Sequence, residues 1–565
     1  MKIHDLLENL YGDSVAQAYA PRFQACMDEA RTLLKQRKCA NVSEDAVFLI
    51  TYGDQFTDDG PCLKTFQRFA QSYLKDVFTA IHFLPVCPYS SDDGFSVIDY
   101  TRVAPKLGTW ENIQEFSKEY TIMLDFVCNH ISSQSEWVQK YLSGEKAYRD
   151  FFIEMPLTED LSKVTRPRTT PLLSAFESAD GVRYLWTTFS RDQVDLNYHN
   201  PEVLLRVTQI LLEYLCKGAS WIRLDAIGFL WKEPGTCCMH LPGTHTVVKL
   251  FRYMVEQTLP GACVLAEANV PQKDNLTYFG QGDESHMIYQ FPLPPLVLYS
   301  FFRENAQILK KWLLDLPEPP KGCCYFNFLA SHDGVGINPV RDLISPDEIE
   351  ALISEMKENA GARISYKDNP DGTQSVYEIN VSYLSALRRR DSQQVGIDRL
   401  LTAHAILLSL AGVPAVYIHS YLGSENDVEG VKATGQNRSI NRQKFEYEQF
   451  LQLMDEPSSV RKKVMESMAH LIRIRREHKA FSPFARQDVL EGPAEVLAIL
   501  RTAADGEKVL CVHNLSQHPV SLNGFFEGEG RNLLNGAQES PNSCLESCGF
   551  KWISILNTKT ERKGD

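Results

Sequence analysis

A chain of 565 residues is longer than one ordinary domain and can bury a large core. Its composition, 44% hydrophobic and 23% charged, is that of a folded globular protein, with no Gly, Pro or Ser bias to mark a disordered tract. A net charge of −14 argues against electrostatic binding of nucleic acid or a membrane surface. No window approaches the roughly 18–20 uninterrupted apolar residues of a membrane span. The N-terminus, MKIHDLLENLYGD, lacks the apolar stretch of an export signal, so a cytoplasmic location is expected. The fourteen cysteines then read as reduced thiols, and the doublets Cys237-Cys238 and Cys323-Cys324 lack the C-x-x-C spacing of a zinc site.

In chain order, residues 1–45 predict a helical extension, with LLENL and EARTLLKQRK at helical spacing. Eight apolar runs follow, at 46–54, 78–86, 120–130, 220–228, 263–270, 286–291, 324–333 and 413–420. Most carry Gly, Asp, Asn or His near their C-terminal ends, and amphipathic stretches such as 201–218 lie between them. Continuous apolar strands alternating with helices predict a parallel sheet covered by helices, and eight of them predict an α/β fold of the (β/α)₈ TIM-barrel type. The barrel is expected to use 46–130, 201–333 and 396–478. Two intervals are too long for ordinary loops. Residues 131–200, with TRPRTTPLL, predict a lid after strand 3, and residues 334–395, with DNPDGTQ, a lid or acceptor-loop region after strand 7. From 479 to 565 the pattern changes to short alternating runs, which predict a C-terminal antiparallel β domain.

Polar residues gather at the strand ends, the edge of a barrel that carries active sites. Asp225 follows Arg223 by two residues on a strand, so both side chains point the same way, and the guanidinium favours an ionised carboxylate suited to a nucleophile. Glu267 ends an apolar strand, a setting that raises a carboxyl pKa and suits a general acid. Asp333, after His332, can hold a sugar or stabilise positive charge. A nucleophile plus an acid/base is the minimum for a retaining glycosidic reaction. Taken singly, each of the three reads equally well as a hydrogen-bonded structural acid. Phe95, Trp186 and Trp231 are aromatic candidates for sugar stacking, and His245 a candidate for an acceptor anion. Asp195 reads as a lid support.

The ordered segments DFVCNH (125–130), IRLDAIG (222–228), the strand ending in Glu267, and LASHD (329–333) resemble the signature regions of the α-amylase superfamily, glycoside hydrolase family 13. The resemblance implies Asp225 as nucleophile, Glu267 as acid/base and Asp333 as transition-state stabiliser, with sugar contacts from His130, Arg223 and His332. DDGFSVIDYTRV (92–103), VYEINVSYLSAL (376–387) and GQNRSINR (435–442) resemble the sucrose phosphorylase branch, which implies that Asp92, Phe95 and Arg438 build the glucose pocket and that Tyr377 is a mobile tyrosine. Glu378 departs from that branch, where Gln is usual. The acceptor-side segments 165–173 and 229–240 resemble the glucosylglycerate-cleaving members instead. This implies phosphorolysis of 2-O-α-D-glucosylglycerate to α-D-glucose 1-phosphate and D-glycerate.

Its partners are then a small-molecule glucoside, inorganic phosphate and a small anionic acceptor, with no cofactor, no metal, no nucleic acid and no membrane. Arg166, Arg168 and Lys232 are the candidate cations for the anions, since Arg suits bidentate carboxylate or phosphate binding; each reads alternatively as a loop anchor. A homo-oligomer is compatible with the sequence. The alternatives are sucrose 6-phosphate phosphorylase or sucrose phosphorylase, a plain α-glucosidase, and a catalytically silent family-13 binding protein.

Overall fold

The computed structural model describes residues 2–369 and 372–555, so Pro370 and Asp371 of the DNPDGTQ segment lie outside the described residues. The eight apolar runs form eight strands: β1 (Phe48–Thr51), β2 (Ala80–Phe83), β3 (Thr121–Val127), β4 (Trp221–Asp225), β5 (Cys263–Ala266), β6 (Met287–Tyr289), β7 (Cys324–Phe328) and β8 (Val413–Tyr417). Each pairs in parallel with its neighbour in sequence, and β8 pairs with β1 to close the barrel. The strands are buried on both faces, which is why the runs are apolar without alternation.

Helices cover the outside. Helices α1 (Ile3–Tyr11) and α2 (Asp13–Leu34) lie against α3 (Pro201–Cys216) and α4 (Pro242–Thr258). The hydroxyl of Tyr11 donates to the Tyr198 carbonyl at 2.7 Å, Arg22 pairs with Glu202 at 2.7 Å, and Arg31 donates to the Gln257 carbonyl at 2.6 Å. Helix α3 starts where the Asn200 side chain accepts from Glu202 N and Pro201 fills the first turn. No helix among the described residues is long and apolar enough to cross a membrane.

Two excursions rise from the C-terminal edge of the barrel. The first holds a hairpin of Leu173–Ser178 with Gly181–Trp186, and a short pairing of His130–Ser132 with Gln193–Asp195. The second holds helix Pro346–Asn359 and a three-stranded sheet in which Gln374–Asn380 lies between Val335–Gly336 and Arg363–Asp368. Beyond the barrel, an antiparallel six-stranded sheet is ordered Arg486–Leu490, Val496–Thr502, Lys508–Asn514, Phe550–Ile555, Gly530–Asn532 and Gln538–Glu539. Alternation sends Leu497, Ile499, Val509 and Cys511 into the barrel's own core, while Val496, Ala498, Leu510 and Val512 build a second cluster on the other face.

Candidate active site

The C-terminal ends of the strands open into a cavity of about 640 Å³. Asp92, Phe95, His130, Arg166, Arg168, Arg223, Asp225, Glu267, His332, Asp333, Tyr377 and Arg438 all line it. They come from the ends of six strands, or the loops that follow them, and from both excursions, so the fold gathers residues spread over nearly 350 positions.

Its floor is a buried polar chain. His82 on β2 meets Asp125 Oδ2 on β3 at 2.8 Å, and Asp125 pairs with Arg223, its register partner on β4. Arg223 reaches Asp225 Oδ1 at 2.8 Å and Glu267 Oε2 at 4.0 Å. After Asp225 the backbone turns left-handed at Ala226 (φ 52°), a conformation costly for a residue with a Cβ, and this aims the Ala226 N–H at Glu267 Oε2, 3.0 Å away. Against burial, which would raise it, Arg223 and His82 hold Asp125 below the usual carboxylate range. The expectation that Arg223 keeps Asp225 low needs correction. Burial raises Asp225 and the charge of Asp125 adds to this, because one guanidinium serves three carboxyl groups. Glu267 is pushed up to about 7, first by burial and then by Asp225, with Arg223 opposing. Of the two, Asp225 touches the cation and Glu267 stands off, so a proton held by the pair rests on Glu267 rather than on Asp225.

Across the cavity, Asp333 pairs with Arg438 Nη1 at 2.6 Å. Burial would raise Asp333, but Arg438, His332 and Arg442 hold it well below the usual range. Burial drops His332 to about 3, so its ring is neutral, and it stacks on Phe95 with centroids 4.8 Å apart. His130 is held by the Phe95 carbonyl at 2.8 Å and by Asn129. Asp92 and Asp93 are both left-handed (φ 52° and 48°); Asp92 faces the cavity and Asp93 pairs with Arg442 at 2.6 Å. Glu378 lies behind the wall, buried, with both oxygens on Arg438. Gly334 lets that strand approach: a Cβ there would meet Asn380 Oδ1 at 2.8 Å and Glu378 Cβ at 2.9 Å.

Lys232 is corrected from a substrate contact to a structural cation. Its ammonium is buried, donates to Asn129 Oδ1 at 2.9 Å and to the Phe229 carbonyl, and pairs with Asp195 at 2.9 Å, outside the cavity lining. Asp195 also accepts from Thr188 N at 2.8 Å, so this pair ties the first excursion to the barrel. Trp186 is fully buried, Trp231 packs on His199, and His245 pairs with Glu284 at 2.7 Å; none lines the cavity. His240 does, its ring at 2.6 Å from the Tyr278 hydroxyl and its pKa lowered by burial to about 4.

Sequence reasoning also missed Gln193, Asn269, Arg341 and Lys367, which line the cavity. Arg341 and Lys367 belong to the second excursion, which the sequence marks as a lid or acceptor-loop region, but no motif spacing signals which of its cations face the cavity.

The cavity is electrically divided. Its inner cations, Arg223 and Arg438, are paired with carboxylates. Its outer cations, Arg166, Arg168, Arg341 and Lys367, pair with no carboxylate among the described residues. Arg166 donates to the Thr170 carbonyl and keeps a buried Nε without a partner. Arg168 lies over the Tyr377 ring at 5.3 Å and over Phe189 at 6.0 Å. Asp274 and Asp342 also reach the lining. Among the described residues, the one cluster with metal-ligand geometry is His4, Glu8 and Asp13 on α1 and α2, away from this cavity.

A family model for the catalytic domain of α-amylase matches residues 70–333. The chain is 45% identical over 538 residues to a glucosylglycerate phosphorylase of Escherichia coli (strain K12), covering 94% of this chain and 96% of that one. It is likewise 45% identical over 525 residues to a glucosylglycerate phosphorylase of Spirochaeta thermophila, covering 91% and 89%. Among solved structures, sucrose 6F-phosphate phosphorylase from Thermoanaerobacter thermosaccharolyticum superimposes with a TM-score of 0.74 at 27% identity, covering 84% of this chain and 95% of that one. The chain belongs to the α-amylase family, glycoside hydrolase family 13, and within it to the branch of the sucrose and glucosylglycerate phosphorylases.

Proposed function

We infer that this protein is a retaining glucoside phosphorylase that converts 2-O-α-D-glucosylglycerate and inorganic phosphate into α-D-glucose 1-phosphate and D-glycerate, reversibly. The observation that carries this reading is the division of the cavity: carboxylates with a proton on Glu267 inside and, outside, cations without carboxylate partners among the described residues. A hydrolase has no use for the outer half. A phosphorylase must hold one anion as it leaves and capture another before water does. The 45% identity to glucosylglycerate phosphorylases, against 27% to the sucrose 6F-phosphate enzyme, supports glycerate as the leaving group.

In the proposed mechanism, the glucosyl ring docks on Phe95 between Asp92, His130, His332 and Arg438. Asp225 attacks the anomeric carbon while Glu267 gives its proton to the departing glycerate oxygen, forming a β-glucosyl ester and a free carboxylate on Glu267. Asp333 stabilises the cationic transition state. Phosphate then enters between the outer cations and attacks the anomeric carbon, breaking its bond to Asp225, returning a proton to Glu267 and restoring the α configuration. Fourteen free cysteines suit a reducing, cytoplasmic compartment.

The test is a donor panel with phosphate: 2-O-α-glucosylglycerate, sucrose, sucrose 6-phosphate and trehalose, following glucose 1-phosphate. Release from glucosylglycerate is expected. Release from a fructoside instead would overturn the acceptor assignment, and free glucose alone would overturn the phosphorylase.

A further inference from the structure

We propose that Arg341 and Lys367 form the anion clamp of the acceptor site, holding the carboxylate of glycerate and, after it leaves, inorganic phosphate. This rests on the phosphorylase reading and adds to it two residues of the second excursion. Both line the cavity, whereas the two cations expected from the sequence, Arg166 and Arg168, come from the first excursion. The two excursions meet where Arg168 lies over Tyr377, so an anion in the outer cavity has cations from both around it.

Arg341 is fixed but not neutralised. Its Nε donates to Asn338 Oδ1 at 3.2 Å and one Nη to the Val376 carbonyl at 2.8 Å, both uncharged acceptors. The remaining N–H groups keep the fork geometry that suits a carboxylate or phosphate. Lys367 stands in the strand Arg363–Asp368, half-buried, with no hydrogen bond or ion pair among the described residues. Burial lowers its pKa, and the charge of Arg341 lowers it further. Two like charges thus lie close together, partly out of water and without a counter-ion among the described residues, an arrangement that an entering anion relieves. Asp342 and Asp274 reach the same cavity but pair with neither cation, so they do not satisfy the clamp from within.

The clamp reads charge, which gives it a test that structural damage does not imitate. With α-glucosyl fluoride as donor, transfer to D-glycerate is compared with transfer to glycerol, an acceptor of similar size without the carboxylate. In Lys367→Gln and Arg341→Gln the ratio of kcat/KM for glycerate to that for glycerol falls more than tenfold, and the KM for phosphate rises by a similar factor. Lys367→Arg recovers most of the ratio. The Lys367 ammonium has no partner among the described residues, so Lys367→Gln is expected to fold and carries the test even if Arg341→Gln does not. A glycerate-to-glycerol ratio within twofold of the parent enzyme in Lys367→Gln, with the parent itself active on both glycerate and phosphate, overturns the clamp. A parent enzyme that transfers to neither anion overturns the phosphorylase reading itself.

Discussion

The chemistry proposed for this site depends on one proton divided unequally between two carboxyl groups. Asp225 lies 2.8 Å from Arg223, while Glu267 is 4.0 Å from it and receives a single backbone N–H. That difference lets the pair hold one charge and one proton at the pH where each is needed. The sign of the pH dependence follows. Glycerate leaves only if Glu267 is protonated, so kcat/KM for phosphorolysis falls as pH rises through about 7. On the acid side, activity falls as Asp225 takes up a proton, at a pH shifted up from the ordinary aspartate range by burial. Glu267→Gln is expected to lower kcat/KM by about 10²–10⁴-fold and to abolish the alkaline limb. A pH–rate profile of both proteins checks this; an alkaline limb that survives in Glu267→Gln assigns that limb to another group.

At the scale of elements, the first excursion is pinned to the barrel by a buried ion pair between two loops. Lys232 stands seven residues beyond Asp225, and its nearness in sequence suggested a site cation. Its stem instead runs away from the cavity to Asp195, Asn129 and the Phe229 carbonyl. Lys232→Met leaves Asp195 buried and unpaired, which costs about 3–5 kcal/mol. Denaturant unfolding is expected to report a loss of that order, while the KM for phosphate moves less than twofold. A large rise in that KM with unchanged stability would return Lys232 to the anion site.

The same example marks the limit of reading the site from sequence. The barrel strands were legible because a parallel strand buried on both faces must be a continuous apolar run, and the carboxylates because they break those runs at their ends. Whether a cation is free depends on contacts between segments far apart in the chain. Lys232 is consumed by a residue 37 positions earlier, whereas the Lys367 side chain has no partner among the described residues, and neither outcome leaves a trace in the residues around them.

At the scale of the whole molecule, the C-terminal sheet is bound to the barrel through shared core and through arginines that serve as multi-carbonyl ties. Arg501 is fully buried; it donates to the Ser409 carbonyl at the end of a barrel helix at 2.7 Å, and to the carbonyls of Ser482 at 2.7 Å and Ala485 at 3.2 Å. Arg475 makes the same kind of tie among Leu408, Phe481 and Glu44, the last lying just ahead of β1. Burial lowers both guanidinium pKa values, Arg501 to about 10 and Arg475 to about 9, yet both stay charged at neutral pH. Leu497, Ile499, Val509, Cys511 and Trp552 continue the barrel's core across the junction. Barrel and sheet are therefore expected to unfold together, and the active site to lose its shape in the same event. Arg501→Met leaves the buried Ser409 carbonyl without this donor, at about 1–3 kcal/mol before relaxation, and removes a donor from the half-buried carbonyls of Ser482 and Ala485, of which Ser482 keeps the Ala485 N–H. Calorimetry is expected to show one transition at a lower temperature, with thermal loss of phosphorylase activity shifted by the same amount. Two transitions, with the activity-loss temperature unmoved, would mean that the sheet melts alone and that the barrel holds the site without it.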